Sequence, residues 1–150
     1  MRVFDGIGEL REHVGEHIGF SDWHDVTQRQ VDLFAAATGD HQWIHVDQQR
    51  AAKGPFGSTI AHGYLTLAML PSLVSEIYAV TDLSMLVNYG VNKVRFTAPV
   101  PVGSALRAGG ELLSVDLNGD HAQVVLRVVV ERGGHDKPVC VADTVSRLVR

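Results

Sequence analysis

An aspartate and a histidine lie five positions apart in the segment 38–45, which reads Thr-Gly-Asp-His-Gln-Trp-Ile-His. The segment follows a stretch that predicts a helix, so a turn can hold both side chains against one small molecule. A carboxylate and an imidazole placed in this way can bind a water molecule and exchange protons with it, which is general acid–base chemistry. Asp40 and His45 are therefore the candidate catalytic residues, although Asp40 taken alone equally fits a turn residue after the helix.

A glycine further along the chain supplies the third candidate group. Ala61-His62-Gly63 opens a long apolar run that predicts a helix. The first N–H groups of a helix have no partner within it, and the helix dipole concentrates positive charge there. The Gly63 N–H can therefore donate to a carbonyl oxygen that gains negative charge during a reaction. We interpret the neighbouring His62 as structural, because a histidine beside a helix start more often satisfies backbone groups of a loop.

Two predicted helices position these groups. Thr27 and Gln30 have the spacing of a capping box, and apolar residues then repeat at helical spacing until Gly39 ends the helix. The second helix, over residues 62–77, is apolar on almost every face, so we expect it to be buried all round. Pro71 should bend this helix or mark a local break.

The second half of the chain is typical of β-strands. Segments rich in Val and Leu cover residues 83–98, 105–117, 121–131 and 139–149. Glycine-containing turns at 118–120 and 133–136 join the last three segments, which should therefore pair antiparallel. A buried helix followed by such strands requires a sheet that wraps the helix. We predict a single α+β domain over residues 1–150.

The candidate residues belong to longer motifs. Gly39-Asp40, His45 and Ala61-His62-Gly63 occur in this order, and a later patch over residues 94–103 reads Val-Arg-Phe-Thr-Ala-Pro-Val-Pro-Val-Gly. In these motifs the chain resembles the (R)-specific enoyl-CoA hydratases of the MaoC-like dehydratase family, over roughly residues 25 to 150. The resemblance implies the hot-dog fold, in which an antiparallel sheet is wrapped around a long central helix.

The chain departs from the family pattern at one place. The family usually has Asn-Pro between the aspartate and the histidine, where this chain has Gln42 and Trp43. Gln42 keeps an amide on a side chain that is one methylene longer. The loss of proline is expected to free the turn, which leaves the role of the amide open.

The resemblance also implies an activity, the reversible hydration of trans-2-enoyl thioesters to (R)-3-hydroxyacyl thioesters in fatty acid metabolism. Asp40 and His45 would hold one water that attacks C3, and the Gly63 N–H would polarise the thioester carbonyl. Which of the two side chains removes the proton and which delivers one to C2 stays open. The chemistry needs no metal and no redox cofactor, so we expect neither. Hot-dog domains usually pair through an open sheet edge, so we expect a homodimer.

Substrate-binding residues are predicted around the same groups. Leu65 and Met69 lie four apart on the predicted helix and, with Phe56, should line an apolar channel for the acyl chain. Met69 is equally compatible with plain core packing. Gln42 is a further candidate contact. Lys93 and Arg95 are candidates for the phosphates of coenzyme A or of a carrier-protein arm, and fit solvated strand charges equally well.

Composition and motifs exclude several classes of function. A formal net charge of −4 argues against nonspecific nucleic-acid binding. The apolar run from Tyr64 to Val74 is shorter than the roughly 18 residues that indicate a membrane span. The single cysteine, Cys140, cannot form an internal disulfide, which fits a reducing compartment, and we expect a soluble, cytoplasmic protein. The eight histidines do not form a recognised zinc pattern, and nucleotide-binding glycine motifs and the Gly-x-Ser-x-Gly elbow are absent.

Two alternatives remain beside the hydratase. A hot-dog acyl-CoA thioesterase would also use an acidic residue near a helix start but would release a free thiol. A non-catalytic acyl-binding or accessory subunit would have the fold with little activity, and the Gln42-Trp43 substitution keeps this alternative open.

Overall fold

Short helices and strands fill the first half of the chain, and four long strands fill most of the second half. The structure is a computed structural model and describes residues 1–150. Its elements in chain order are β1 (Arg2–Phe4), α1 (Gly6–Glu12), β2 (His17–Phe20), β3 (His24–Asp25), α2 (Gln28–Thr38), α3 (Trp43–Val46), α4 (Gln48–Ala51), α5 (Gly63–Ile77), β4 (Tyr78–Val80), β5 (Met85–Phe96), β6 (Ala105–Asn118), β7 (His121–Arg132) and β8 (Cys140–Val149).

The main sheet is antiparallel and six-stranded. Its strand order is β2-β6-β7-β8-β5, with β3 also paired to β6. The predicted antiparallel pairing of the last three strands is confirmed. The chain order did not reveal that β5 crosses over to pair with β8, which places β5 at the sheet edge. A separate two-stranded parallel sheet joins β1 to β4.

The helix α2 begins and ends where the sequence predicts. The Thr27 side chain accepts from the Gln30 N–H and the Gln30 side chain accepts from the Thr27 N–H, which completes the capping box. Gly39 ends the helix in the left-handed conformation, with φ of 82°, where glycine carries no steric cost. The chain therefore turns sharply just before Asp40.

The helix α5 packs against the inner face of the main sheet. Its residues Leu70, Leu73 and Ile77 are buried together with inward-facing side chains of β6, β7 and β8. This arrangement of a sheet around one helix is the hot-dog architecture that the resemblance implied. None of the helices combines the length and the apolar character that crossing a membrane requires.

The expectation that α5 is buried all round is corrected. Tyr64, Ala68, Pro71 and Ser75 are exposed in the single chain. Their spacing of four, three and four places them on one side of the helix. The sheet covers only the other side, and the helix continues through Pro71 without a break.

Candidate active site

Three side chains from separate elements meet beside the start of α5. Asp40 follows α2, His45 lies in α3, and His62 is the residue before α5. One carboxylate oxygen and one ring nitrogen of each histidine all lie within 4.8 Å of one another. Asp40 is exposed, whereas both histidines are buried. The folded chain therefore brings the predicted pair together and adds His62.

Hydrogen bonding determines the tautomer of His45. Its Nδ1 lies 2.7 Å from the backbone oxygen of Ile60. A carbonyl oxygen only accepts, so Nδ1 carries the proton and Nε2 has a free lone pair. The pKa of His45 is lowered from its ordinary value, mainly because the ring is buried and also because His62 lies beside it. The hydrogen bond to the Ile60 carbonyl and the negative charge of Asp40 act in the opposite direction but do not cancel this effect. His45 is thus a neutral imidazole that can accept a proton at Nε2.

Asp40 is held mainly through the backbone around it. Its carboxylate accepts a hydrogen bond from the Gln42 N–H at 3.3 Å, and its own backbone oxygen lies 3.0 Å from Nε2 of His62. The side chain of Gln42 is exposed and makes no hydrogen bond within the protein. The residue that replaces the family asparagine therefore contacts Asp40 through its main chain.

Trp43 stands where the family usually has proline, and its ring packs against the residues that follow it. The Trp43 ring lies under the Arg50 guanidinium, whose carbon is 4.3 Å from the ring centroid. Gly54 also lies beside this ring, so close that a Cβ on it would be 3.0 Å from the ring. The turn is further closed by a hydrogen bond from the His45 N–H to the Gln42 carbonyl. In this chain, the packing of Trp43 and this hydrogen bond therefore hold the segment between Asp40 and His45.

Gly63 is the first residue of α5, and its N–H has no hydrogen-bond partner. A Cβ at this position would lie 2.6 Å from Cδ2 of Phe96, a separation that real Cβ atoms do not adopt. The Phe96 ring also packs edge-on against Tyr64, with 5.6 Å between centroids. Glycine is therefore required for the close approach of Phe96, and its amide is free to donate.

The predicted substrate-binding residues are more scattered. Phe56 is exposed in the loop after α4, Leu65 is buried in the core, and Met69 is half-buried against it. Lys93 and Arg95 are exposed on β5, in register with Asp143 and Val141 of β8. These five residues come from three separate parts of the fold, namely the loop after α4, the helix α5 and the strand β5.

An apolar cavity of about 690 Å³ lies on another face of α5. It is bounded by α5, β4, β5 and β8, and its lining includes Leu67, Leu70, Val74, Tyr78, Met85, Leu86, Tyr89 and Val145. Leu65, Met69 and Phe56 do not line it. The spacing of Leu67, Leu70 and Val74 was visible in the sequence, but nothing there distinguished this face from the neighbouring one.

Asp40, His45 and His62 are also the residues that could offer ligands to a metal ion. The two imidazole rings stack with centroids 3.8 Å apart and planes 25° from parallel. Nitrogen lone pairs lie in the ring plane, and one ion cannot lie in both planes at a bond length of about 2.0 Å. Holding an ion here would require one ring to rotate out of the stack.

Comparisons with known proteins identify the family of the chain. Residues 9–133 match the family model described as MaoC like domain. The chain is 53% identical over 150 residues to 3-hydroxyacyl-thioester dehydratase Z of Mycobacterium tuberculosis, covering 99% of each protein. It is 38% identical over 145 residues to nodulation protein N of Rhizobium meliloti, covering 93% of this chain and 89% of that protein.

A solved structure supports the same assignment. The R-hydratase PhaJ1 of Pseudomonas aeruginosa, in its unliganded form, superimposes with a TM-score of 0.73 at 26% identity, covering 94% of this chain and 83% of the other. The family match spans most of the chain and includes Asp40, His45 and Gly63. The chain therefore belongs to the MaoC-like dehydratase family of hot-dog hydro-lyases.

Proposed function

We propose that the protein catalyses the reversible hydration of trans-2-enoyl thioesters to (R)-3-hydroxyacyl thioesters. One observation carries the proposal: a neutral imidazole with a free Nε2 lies beside an exposed carboxylate, next to an unpartnered amide at a helix N-terminus. The relative named as a 3-hydroxyacyl-thioester dehydratase supports the same chemistry.

The mechanism uses one water molecule. Asp40 and His45 hold it, His45 Nε2 accepts a proton as the water oxygen bonds to C3, and the C2=C3 electron pair moves toward the thioester carbonyl. The Gly63 N–H donates to the oxygen that gains charge, an interaction typically worth about 3 kcal/mol. A proton from the Asp40–His45 pair then bonds to C2. The reverse sequence expels water.

We place the acyl chain in the apolar cavity along α5. Leu67 lies one turn beyond Gly63, and Leu70 and Val74 continue the same apolar lining. A chain whose carbonyl meets the Gly63 N–H can therefore extend along the helix away from the reacting carbons. Met69 remains our candidate gate on the adjoining face, where it packs against the core.

For the thioester's carrier group we propose Lys93 and Arg95. Both are exposed cations on the strand that ends at Phe96, which contacts Gly63. Phosphates of coenzyme A or of a carrier-protein arm are the matching anions.

We also propose that the protein works as a homodimer. The strand β5 pairs on one side only, and it exposes Met85, Leu86, Val87, Tyr89 and Val91. An exposed apolar edge strand is a surface that a second copy can cover. Analytical ultracentrifugation should give a dimer for the wild type and a monomer for Val87→Lys/Val91→Lys. A monomeric wild type contradicts this part of the proposal.

The location we propose is the cytoplasm. Cys140 is buried and unpaired, and burial raises the pKa of its thiol to about 11, so it stays a reduced and unreactive side chain. A free cysteine fits a reducing compartment.

Incubation with crotonyl-CoA tests the function directly. A hydratase removes the enoyl absorbance without releasing thiol and yields the (R)-3-hydroxy product on chiral analysis. A thioesterase releases thiol. A non-catalytic acyl-binding subunit changes neither signal, and both of these results reject the hydratase.

A further inference from the structure

His62 lies between two aromatic rings. Its side chain is only 2% exposed. The ring stacks on His45 with 3.8 Å between centroids and packs on Phe34 at 5.0 Å on its other side. One face of the His45 ring is therefore covered by His62. Rotation of either imidazole out of the stack would open a gap in the buried region.

The edge of the His62 ring makes one hydrogen bond. Nε2 lies 3.0 Å from the backbone oxygen of Asp40, and a carbonyl only accepts, so Nε2 carries the proton. The other nitrogen, Nδ1, is buried and has no partner, the only such side-chain atom in the protein. A proton on Nδ1 would have no acceptor and would lie near the positive end of the α5 dipole. The surroundings therefore select one tautomer.

This arrangement costs free energy, because buried polar groups in proteins are nearly always hydrogen-bonded. A phenylalanine would fill the same space against Phe34 and His45 without an orphan nitrogen. It would leave the Asp40 carbonyl without its donor. Compared with an apolar ring of the same size, the imidazole at this position therefore provides one additional interaction, the hydrogen bond that restrains Asp40.

We propose that His62 is a positioning residue, which holds Asp40 and His45 at a fixed separation through its Nε2–H and its ring face. The proposal rests on the function proposed above. The two members of the pair come from different segments, and no side-chain hydrogen bond joins them directly. His62 contacts both, so displacement of this one ring would move the carboxylate relative to the imidazole.

Two variants of His62 separate the donor from the ring. His62→Phe keeps the ring contacts and removes the N–H, while His62→Gln removes the ring and keeps an amide N–H at a similar distance from the backbone. Because a displacement of about 1 Å in a catalytic group can cost about 10²-fold in rate, we expect a loss of that size in kcat for His62→Phe, with KM little changed. The kcat of His62→Gln should be about tenfold higher than that of His62→Phe, because the amide keeps a donor for the Asp40 carbonyl.

The exposed His135 in the β7–β8 turn provides the matched control. His135→Phe makes the same chemical change away from the site and should leave kcat and KM unaltered. A folded His62→Phe with wild-type kcat overturns the proposal. A rise in KM of His62→Phe without a loss of kcat also overturns it, because His62 would then contribute to substrate binding. A His62→Gln variant whose kcat is no higher than that of His62→Phe overturns it as well.

A spectroscopic measurement keeps this inference independent of activity. Long-range ¹H–¹⁵N spectra of the wild type at neutral pH should show the Nε2–H tautomer for His62 and the Nδ1–H tautomer for His45. The opposite tautomer, or a charged ring, at His62 overturns the positioning role even in an active enzyme. Conversely, the expected tautomers in a protein that does not hydrate crotonyl-CoA would reject only the proposed function.

Discussion

The two ends of α5 are built in different ways. At its N-terminus, most polar groups of Asp40, His45 and His62 have a defined partner, and these partners come from segments held by backbone hydrogen bonds. Toward its C-terminus, the cavity wall is apolar and partly formed by β5, whose outer edge has no partner strand. Directional bonds can fix reacting groups precisely, whereas apolar walls set only size and shape. Chemistry and chain-length preference should therefore respond to different substitutions.

Asp40→Asn and His45→Gln should give the largest effects and establish the polar end as the site of chemistry. Each keeps the approximate shape and removes acid–base capacity, which is worth roughly 10² to 10⁴ in rate. The measurements are kcat for crotonyl-CoA and the melting temperature. Near wild-type turnover with unchanged melting would remove that residue from the mechanism.

Substitutions in the cavity should alter selectivity more than overall rate. Val74→Phe places a larger side chain in the cavity and should lower kcat/KM for long enoyl thioesters relative to crotonyl-CoA, by about 10- to 200-fold. Comparing C4 and C8 substrates measures this ratio. An unchanged ratio would place the acyl chain elsewhere.

Met69→Ala is the matched test on the neighbouring face of α5. If Met69 is a gate, Met69→Ala should raise kcat/KM for long substrates relative to crotonyl-CoA. The change in this ratio should correspond to at most about 1 to 3 kcal/mol. If Met69 only fills the core, Met69→Ala should lower the free energy of unfolding by roughly 2 to 5 kcal/mol and leave the kcat/KM ratio unchanged. The ratio and the melting temperature, measured together, separate these outcomes.

The pH dependence tests the assignment of His45 as the neutral proton acceptor. Its pKa lies below the ordinary 6.5, so the neutral form that accepts a proton persists to lower pH than a solvent-exposed histidine would allow. Activity should therefore be lost only as the pH falls through a value below 6.5. An acid limb of kcat/KM at or above 6.5 would contradict the assignment of His45 as the neutral acceptor.

Gln42→Ala should have the smallest effect. The Gln42 N–H contacts Asp40, and alanine keeps that N–H, while the exposed side chain has no partner to lose. We expect a kcat loss smaller than that of either catalytic substitution, and Gln42→Asn should not improve the enzyme. A loss as deep as that of Asp40→Asn would assign the amide a direct role.

Local sequence signals predicted the helices around the site well. The Thr27–Gln30 capping box and Gly39 bound α2 as expected, because capping depends on residues within a few positions of one another. The turns at 118–120 and 133–136 likewise specified the pairing of the last three strands. The place of β5 beside β8 was not predicted, because the partner of an edge strand is chosen by long-range packing.

The sequence by itself named the candidate reacting groups: Asp40, His45 and Gly63 were predicted from residue type, spacing and the family motif. Only the tertiary structure decided what surrounds them. The tautomer of His45 depends on the Ile60 carbonyl, and the place of His62 depends on the Asp40 backbone oxygen. The choice of Leu67 and Val74 over Met69 as cavity lining depends on which face of α5 lies opposite β4, β5 and β8. Each is a contact between segments distant in the chain, and periodicity within a single segment carries no information about it.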